Sequence, residues 1–313
     1  MTYRRALGTM LGITLAGATV GVATRWADLA QRELAVVQSL VPICEATVVV
    51  VTLLSVWRHR RLALVAAVPA LVSAGLLAAP FLPHTVPTGP GDVTVMTSNL
   101  EFGQADATQL VAAATARSVA VLVLVEVTPQ GLSRLDDAGL RELLPYAAGS
   151  PEADASGTMV RSRYPLDLLS TGGGASGLQL EFRQPLVRVE RPGAPFVIKA
   201  IHPLPPTGWP TSWRASLRLL ADFRRARPTD EPLVLAGDFN ASVDHPAYRE
   251  VAEGMADVTR DAGAGWTRTW PQDVALPPFV QLDHVLVRGM SIVAAGTVHL
   301  DGTDHAAVWG TVR

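Results

Sequence analysis

One cysteine, Cys44, and one lysine, Lys199, are all that the 313 residues hold of either type. A lone cysteine excludes an intrachain disulfide, and nothing points to a zinc site built on thiolates. Charge excess is missing as well. With 26 Lys+Arg against 28 Asp+Glu the net charge is -2, and the pI is near 6.4. That balance argues against a protein that holds nucleic acid mainly through a basic surface. Internal repeats and low-complexity tracts are absent too. Apolar residues are abundant instead: 49% of the chain is hydrophobic and the mean hydropathy is positive. This is high for a chain living wholly in water, so part of it is expected in lipid.

Three stretches account for the excess. Residues 6–24 are apolar and rich in Gly and Ala, residues 35–57 are apolar apart from Gln38 and Glu45, and residues 62–82 are apolar throughout. Each is near the roughly 20 residues that cross a bilayer as a helix. Arg4 and Arg5 before a first apolar run also fit a cleaved signal peptide, but two further runs favour three spanning helices. Arg4 and Arg5 precede the first helix and Arg58, His59, Arg60 and Arg61 separate the second from the third, whereas residues 25–33 are balanced in sign. Flanking arginines mark the cytoplasmic side. The expectation is therefore a multi-pass protein of the cell membrane, with everything after the third helix extracytoplasmic. Glu45, costly in lipid, is expected to face the helix bundle.

Residues 83–92, PHTVPTGPGD, hold three prolines and two glycines and read as a linker. The expected organisation is a membrane part at 1–84, a linker at 85–92 and a catalytic part at 93–313. Beyond the linker, strand and helix patterns alternate. Strands are expected at residues 93–97, 119–125, 158–161, 178–182, 187–189, 196–201, 233–236, 284–287 and 307–312. Asp106 suits the N-cap of a helix through Ala116. Trp213, Leu217, Leu220 and Phe223 share one face of another helix, which Thr211 or Ser212 could cap. The mixture is α/β with sheet at its centre.

The stretch LVLAGDFNAS, residues 233–242, organises the rest. An apolar strand stops at Gly237, and Asp238 and Asn240 follow on one side of the chain. A carboxylate and a carboxamide converging there suit a hard cation or a phosphate oxygen, although Asp-x-Asn is also ordinary turn chemistry. The pattern repeats. Asn99 and Glu101 close the first strand, Glu126 closes the second, His202 closes FVIKAIH, Asp283 opens another, and Asp304 and His305 precede the last. Any one alone reads as a structural residue. Together they mark one edge of a sheet, where ligand sites form.

These residues resemble the endonuclease/exonuclease/phosphatase superfamily, whose fold DNase I-like nucleases, neutral sphingomyelinases and inositol polyphosphate 5-phosphatases share. The resemblance runs from about Val93 to the C-terminus through TSNLEFG, VLVEV, SRYPL, AIHP, GDFNAS, LDHVLV and GTDHAAV. It implies a four-layer sandwich of two mixed β-sheets flanked by helices, with a divalent-metal phosphoesterase site using Mg²⁺ or Mn²⁺. By the same resemblance Glu126 binds metal, supported by Asn99, with Asp304 metal-linked or beside a ligand. His202 binds the scissile phosphate or protonates the leaving group. Asp238 and Asn240 orient nucleophile and phosphate, and Asp283 fixes the tautomer of His305, the general base. The chain departs from the family pattern at Val125, where Gln is frequent, at Ala306 and Ala307, where a small residue and Pro are usual, and at Glu101, where nucleases often have Asp.

The expected function is a membrane-anchored, metal-dependent phosphoester hydrolase, a phosphodiesterase or phosphatase. The alternative is a non-catalytic ligand- or partner-binding domain on the same fold. The substrate could be nucleic acid, a phospholipid headgroup or a small phosphodiester, and no protein partner is inferred. A nuclease needs a basic groove, for which Arg214, Arg218, Arg224, Arg225 and Arg227 are the nearest candidates. The loops PLPPTGWPTSW and GWTRTWP could rim the site and touch lipid or stack on a base, or simply pack.

Overall fold

The structure, a computed structural model, describes residues 2–172 and 182–313. The strand expected at 178–182 falls, save for Phe182, outside the described residues. In chain order the strands are β1 (Val93–Asn99), β2 (Val119–Val125), β3 (Tyr146–Ser150), β4 (Thr158–Ser162), β5 (Leu166–Ser170), β6 (Leu186–Val189), β7 (Phe196–Ile201), β8 (Leu233–Asp238), β9 (Ala256–Asp257), β10 (Asp283–Arg288), β11 (Ile292–Val298) and β12 (Ala307–Val312). They form two six-stranded sheets, ordered β11-β12-β1-β2-β4-β3 and β5-β6-β7-β8-β10-β9. Both are mixed: β1 runs parallel to β2 and β7 to β8, and the other pairings are antiparallel.

The strand sequences explain the layering. In VAVLVLV of β2, Val121, Val123 and Val125 enter the core between the sheets, joined from the other sheet by Val187, Ile198, Val234 and Val285. Leu122 and Leu124 point the other way, into a second core under the helices Ala107–Ala116 and Pro129–Asp137. Leu233 and Leu235 of β8 likewise meet the helices Pro210–Ala226 and Pro246–Ala252. Strands covered on both faces read as continuous apolar runs, and the result is the expected four-layer sandwich.

Asp106 caps its helix by accepting from the Gln109 amide at 2.9 Å. The helix expected around Trp213 starts earlier than its polar residues suggested. It begins at Pro210, with Trp209 at the cap position and no side-chain cap, so Thr211 and Ser212 lie inside its first turn. Proline supplies a preset φ at a position whose amide needs no partner.

At the N-terminus the second apolar run is two helices, Arg32–Ser39 and Val41–Arg58, because the chain turns at Leu40 and restarts with Pro42 in its first turn. Three helical spans are long and apolar enough to cross a membrane: Arg5–Trp26, Val41–Arg58 and Arg60–Phe81. Their contact face buries Leu15, Ala18, Val22, Val48, Val51 and Ala66. Glu45 is buried as well, near Arg25 and Arg260, while Leu53, Leu54, Leu64 and Val65 point outward. Arg5, Arg58, His59, Arg60 and Arg61 line one cleft at one end of the bundle. The other end rests on the sandwich. Arg25 pairs with Asp244, the Asp28 carboxylate meets Arg214 at 2.6 Å and Arg218 at 2.7 Å, and the Trp266 indole donates to the Leu77 carbonyl at 2.8 Å. The segment after the third helix is bonded to the sandwich, His84 N–H to Asp261 O and Val86 N–H to Ile292 O.

Candidate active site

Parallel pairing fixes where the polar residues emerge. Asn99 lies opposite Val125, next to Glu126, and Ile201, next to His202, lies opposite Gly237. Asp283 at the start of antiparallel β10 stands opposite Asp238 at the end of β8. Six strand ends thus meet at one edge of the two sheets. Gly237 is required there: its φ is 148°, and a Cβ would collide with the Ile201 carbonyl. Glu126 and Asn240 hold φ of 57° and 48°, a region that costs a non-glycine residue energy and is tolerated where it aims a side chain.

The Asn99 amide nitrogen ties the two sheets together, donating to Glu126 Oε1 at 3.1 Å and to Asp238 Oδ2 at 3.2 Å. Its oxygen accepts from the Glu101 N–H at 2.9 Å. Asn99 therefore orients two carboxylates and turns its own oxygen away from them. The other Glu126 oxygen accepts from the Phe102 N–H at 3.0 Å. Asp238 Oδ1 accepts the Asn240 N–H at 2.7 Å, and the Asn240 amide is anchored on Pro203 O at 3.0 Å.

His305 stands in the turn before β12. Its Nδ1 is 2.8 Å from Asp283 Oδ2, which fixes the ring and leaves Nε2 free, 3.8 Å from Asp238 Oδ2 and 3.7 Å from Asp304 Oδ1. His202 Nε2 lies 3.8 Å from Glu126 Oε1, with the ring against Phe182. Two side chains outside the expected set hold Asp304: Glu101 accepts its N–H at 2.7 Å, and the Trp270 indole donates to its carboxylate at 2.9 Å. Thr269 does the same for Asp283, its hydroxyl accepting the Leu282 and Asp283 amides. Trp270 and Thr269 sit in the TRTWP loop, whose aromatic and proline content flagged it only as a rim. Glu101, the departure from the family pattern, thus braces the turn that carries Asp304 and His305.

All eight expected residues are brought together. Glu126, His202, Asp238, Asn240, Asp304 and His305 open onto one cavity of about 930 Å³, and Asn99 and Asp283 are buried beside them. Burial drives the His202 pKa down to about 3, with the charge of His305 adding to the effect, so His202 is neutral. Burial opposes charge on His305 as well, but Asp283 and Asp238 overcome it and raise its pKa to about 10. Burial raises the pKa of Glu126 and of Asp238. Among the described residues no Lys or Arg pairs with Glu126, Asp238, Asp283 or Asp304. This surplus of oxygen donors and negative charge fits a hard divalent cation. Asp238, Asp283 and His305 are close enough to share one ion. Asp283 and His305 are, however, spent on each other, so the donors left for a cation are Glu126, Asp238 and Asp304.

A mixed two-sheet sandwich with a His–Asp pair and unpaired carboxylates at its strand ends defines a class, the DNase I-like fold with a polar strand-end site. The chain belongs to the Endonuclease/Exonuclease/phosphatase family, whose sequence model matches residues 96–305. Among curated proteins no sequence relative matches. Solved structures share the fold at low identity. Truncated TDP2 of Caenorhabditis elegans is 16% identical, with a TM-score of 0.55 over 71% of this chain and 98% of that one. TDP2 of D. rerio complexed with single strand DNA product is 16% identical, with a TM-score of 0.54 over 71% and 99%. A family protein from Bacteroides thetaiotaomicron is 16% identical, with a TM-score of 0.52 over 72% and 98%.

Proposed function

We propose that this chain is a divalent-metal-dependent phosphoester hydrolase, a phosphodiesterase or phosphatase, anchored in the cell membrane by its three apolar helices with the site on the extracytoplasmic side. The observation that carries the reading is the His305–Asp283 pair, with Nε2 of His305 aimed at Asp238 beside Glu126 and His202 in one cavity. The gathering of Arg5, Arg58, His59, Arg60 and Arg61 at the end of the bundle away from the sandwich supports the orientation.

Hydrolysis forms a P–O bond to water and breaks the P–O bond to the leaving oxygen, which ends as a hydroxyl. A divalent cation, Mg²⁺ or Mn²⁺, held by Glu126 with Asp238 and Asp304, supplies Lewis-acid stabilisation of the phosphoryl oxygens when bound. His202, neutral and buried, donates a hydrogen bond to a phosphoryl oxygen rather than a proton to the leaving group. His305 carries the proton that moves. Asp283 keeps that proton exchange at Nε2: once a cation would offset the negative charge of Asp238 and its neighbours, the neutral ring takes a proton from the attacking water, and the leaving oxygen takes its own from solvent water entering the cavity. Asn240 and Asp238 position the attacking water and the phosphate. The test is hydrolysis of bis-p-nitrophenyl phosphate by the full chain in detergent, with and without Mg²⁺ or Mn²⁺. Metal-dependent turnover that His305→Ala abolishes is expected, and turnover indifferent to both changes would refute the reading.

A further inference from the structure

The cavity above His305 is far larger than a phosphate group and a cation fill, and most of its wall does no chemistry. One side is built by the start of the second spanning helix, through Pro42, Ile43 and Ala46. The lining also includes Trp209 and Leu276, both more than half exposed. Trp266 also lines it and is fixed to the end of the third apolar helix, by its bond to Leu77 O and by an edge-on contact with Phe81 at 5.8 Å. One cavity lining therefore joins the polar strand ends to residues at the sandwich ends of the second and third apolar helices. Tryptophans suit the level at which spanning helices leave lipid, with one end apolar and the other wet.

The charge of the wall is equally informative. Arg268 is the only Arg or Lys lining the cavity among the described residues. The arginines of helix Pro210–Ala226 and the residue after it are each engaged by a carboxylate: Arg214 and Arg218 share Asp28, Arg224 meets Glu253, Arg225 Asp222 and Arg227 Glu231, which leaves one positive charge over. A polynucleotide would present several phosphates to a surface with almost no free cations to receive them.

Building on the hydrolase reading, we propose that the substrate is a membrane lipid. Its phosphoester sits among His202, Asp238 and His305, and its apolar chain lies along Ile43, Ala46, Trp209 and Leu276. The lipid enters from the leaflet beside Trp266, so the spanning helices form part of the substrate site as well as an anchor.

The test compares hexadecyl p-nitrophenyl phosphate with ethyl p-nitrophenyl phosphate, using the full chain in dodecylmaltoside micelles. The long-chain ester is expected to show kcat/KM higher by about 100-fold, since each methylene moved into an apolar groove adds affinity. Ala46→Trp, which fills the groove, is expected to lower that ratio at least tenfold, and Leu276→Asp elsewhere in the lining at least fivefold. A ratio near one in the unaltered chain, or variants that slow both esters equally, would overturn the proposal. Failure of the hydrolase reading is distinguishable, because neither ester would then be cleaved. In that case a diazirine-tailed phosphatidylglycerol in phosphatidylcholine nanodiscs decides. Photolabel on Trp209 or residues 276–279 supports lipid in the cavity, and label confined to outward positions such as Leu53, Leu54, Leu64 and Val65 refutes it.

Discussion

His305 is held by one short bond to Asp283 and faced by two further carboxylates, Asp238 and Asp304, so its proton is stabilised. Its replacement by Ala should lower kcat by about 10³-fold or more while leaving the fold intact, measured as single-turnover hydrolysis beside the circular dichroism spectrum. Glu126→Gln removes charge where no Lys or Arg compensates it. It should raise the Mg²⁺ or Mn²⁺ concentration for half-maximal activity by about tenfold or more, and chelation by EDTA should bring the unaltered chain to background. A second histidine gives a pH effect on stability. His245 accepts the Ser242 N–H at Nδ1, 2.9 Å, and donates from Nε2 to Ala35 O, 3.0 Å. Burial lowers its pKa from 6.5 to about 4, and a proton on Nδ1 would face the Ser242 N–H. As pH falls from about 6.5 to 4 the unfolded chain takes up a proton that the folded one refuses, so stability is lost over that window, by up to about 3 kcal/mol. Urea titrations at pH 7 and pH 4.5 measure it, and His245→Gln should flatten the slope by about one proton.

The helix Arg32–Ser39 shows how much an element's role depends on its neighbours. Ala35 joins the core beneath helix Pro210–Ala226, and its carbonyl receives His245. Beside it, Arg25 and Asp244 form an ion pair with both side chains below 10% exposure. Asp244→Ala would strand a buried guanidinium and should cost about 3 kcal/mol, read from chemical denaturation in detergent. Asp28→Ala, cutting partly exposed contacts to Arg214 and Arg218, should cost less than about 1 kcal/mol. Strands with both faces buried, such as β2 and β8, were legible from their unbroken Val and Leu runs. The edge strands β3, β5 and β11 and the short edge strand β9 were not. β3 and β5 are largely exposed, and YAAGS and LDLLS show no clear apolar alternation. The break at Leu40 was hidden as well, because apolar composition continues unbroken through it.

At the scale of the molecule, the proposed orientation puts the arginine-rich end of the bundle in the cytoplasm and the sandwich outside. With Cys44→Ala as background, a cysteine placed at Arg60 should react with a membrane-impermeant maleimide only in inverted vesicles, and one placed at Glu190 only in intact cells. The opposite pattern would reverse the topology.

The sequence by itself determined the two apolar regimes, the α/β class and the polar residues at the strand ends, because each is written locally, while the sandwich and the roles of those residues followed from the resemblance to a family. Spans are read from run length, strands from side-chain alternation, and site residues from the polar breaks where apolar strands stop. The tertiary structure alone decided that Asn99 turns its nitrogen to Glu126 and Asp238, that the arginines of helix Pro210–Ala226 meet carboxylates, and that the start of helix Val41–Arg58 lines the strand-end cavity. Those outcomes depend on partners far apart in the chain, Asp28 with Arg214 or Ala46 and Leu276 in one cavity lining. No local pattern records which distant surface will pack against a given face.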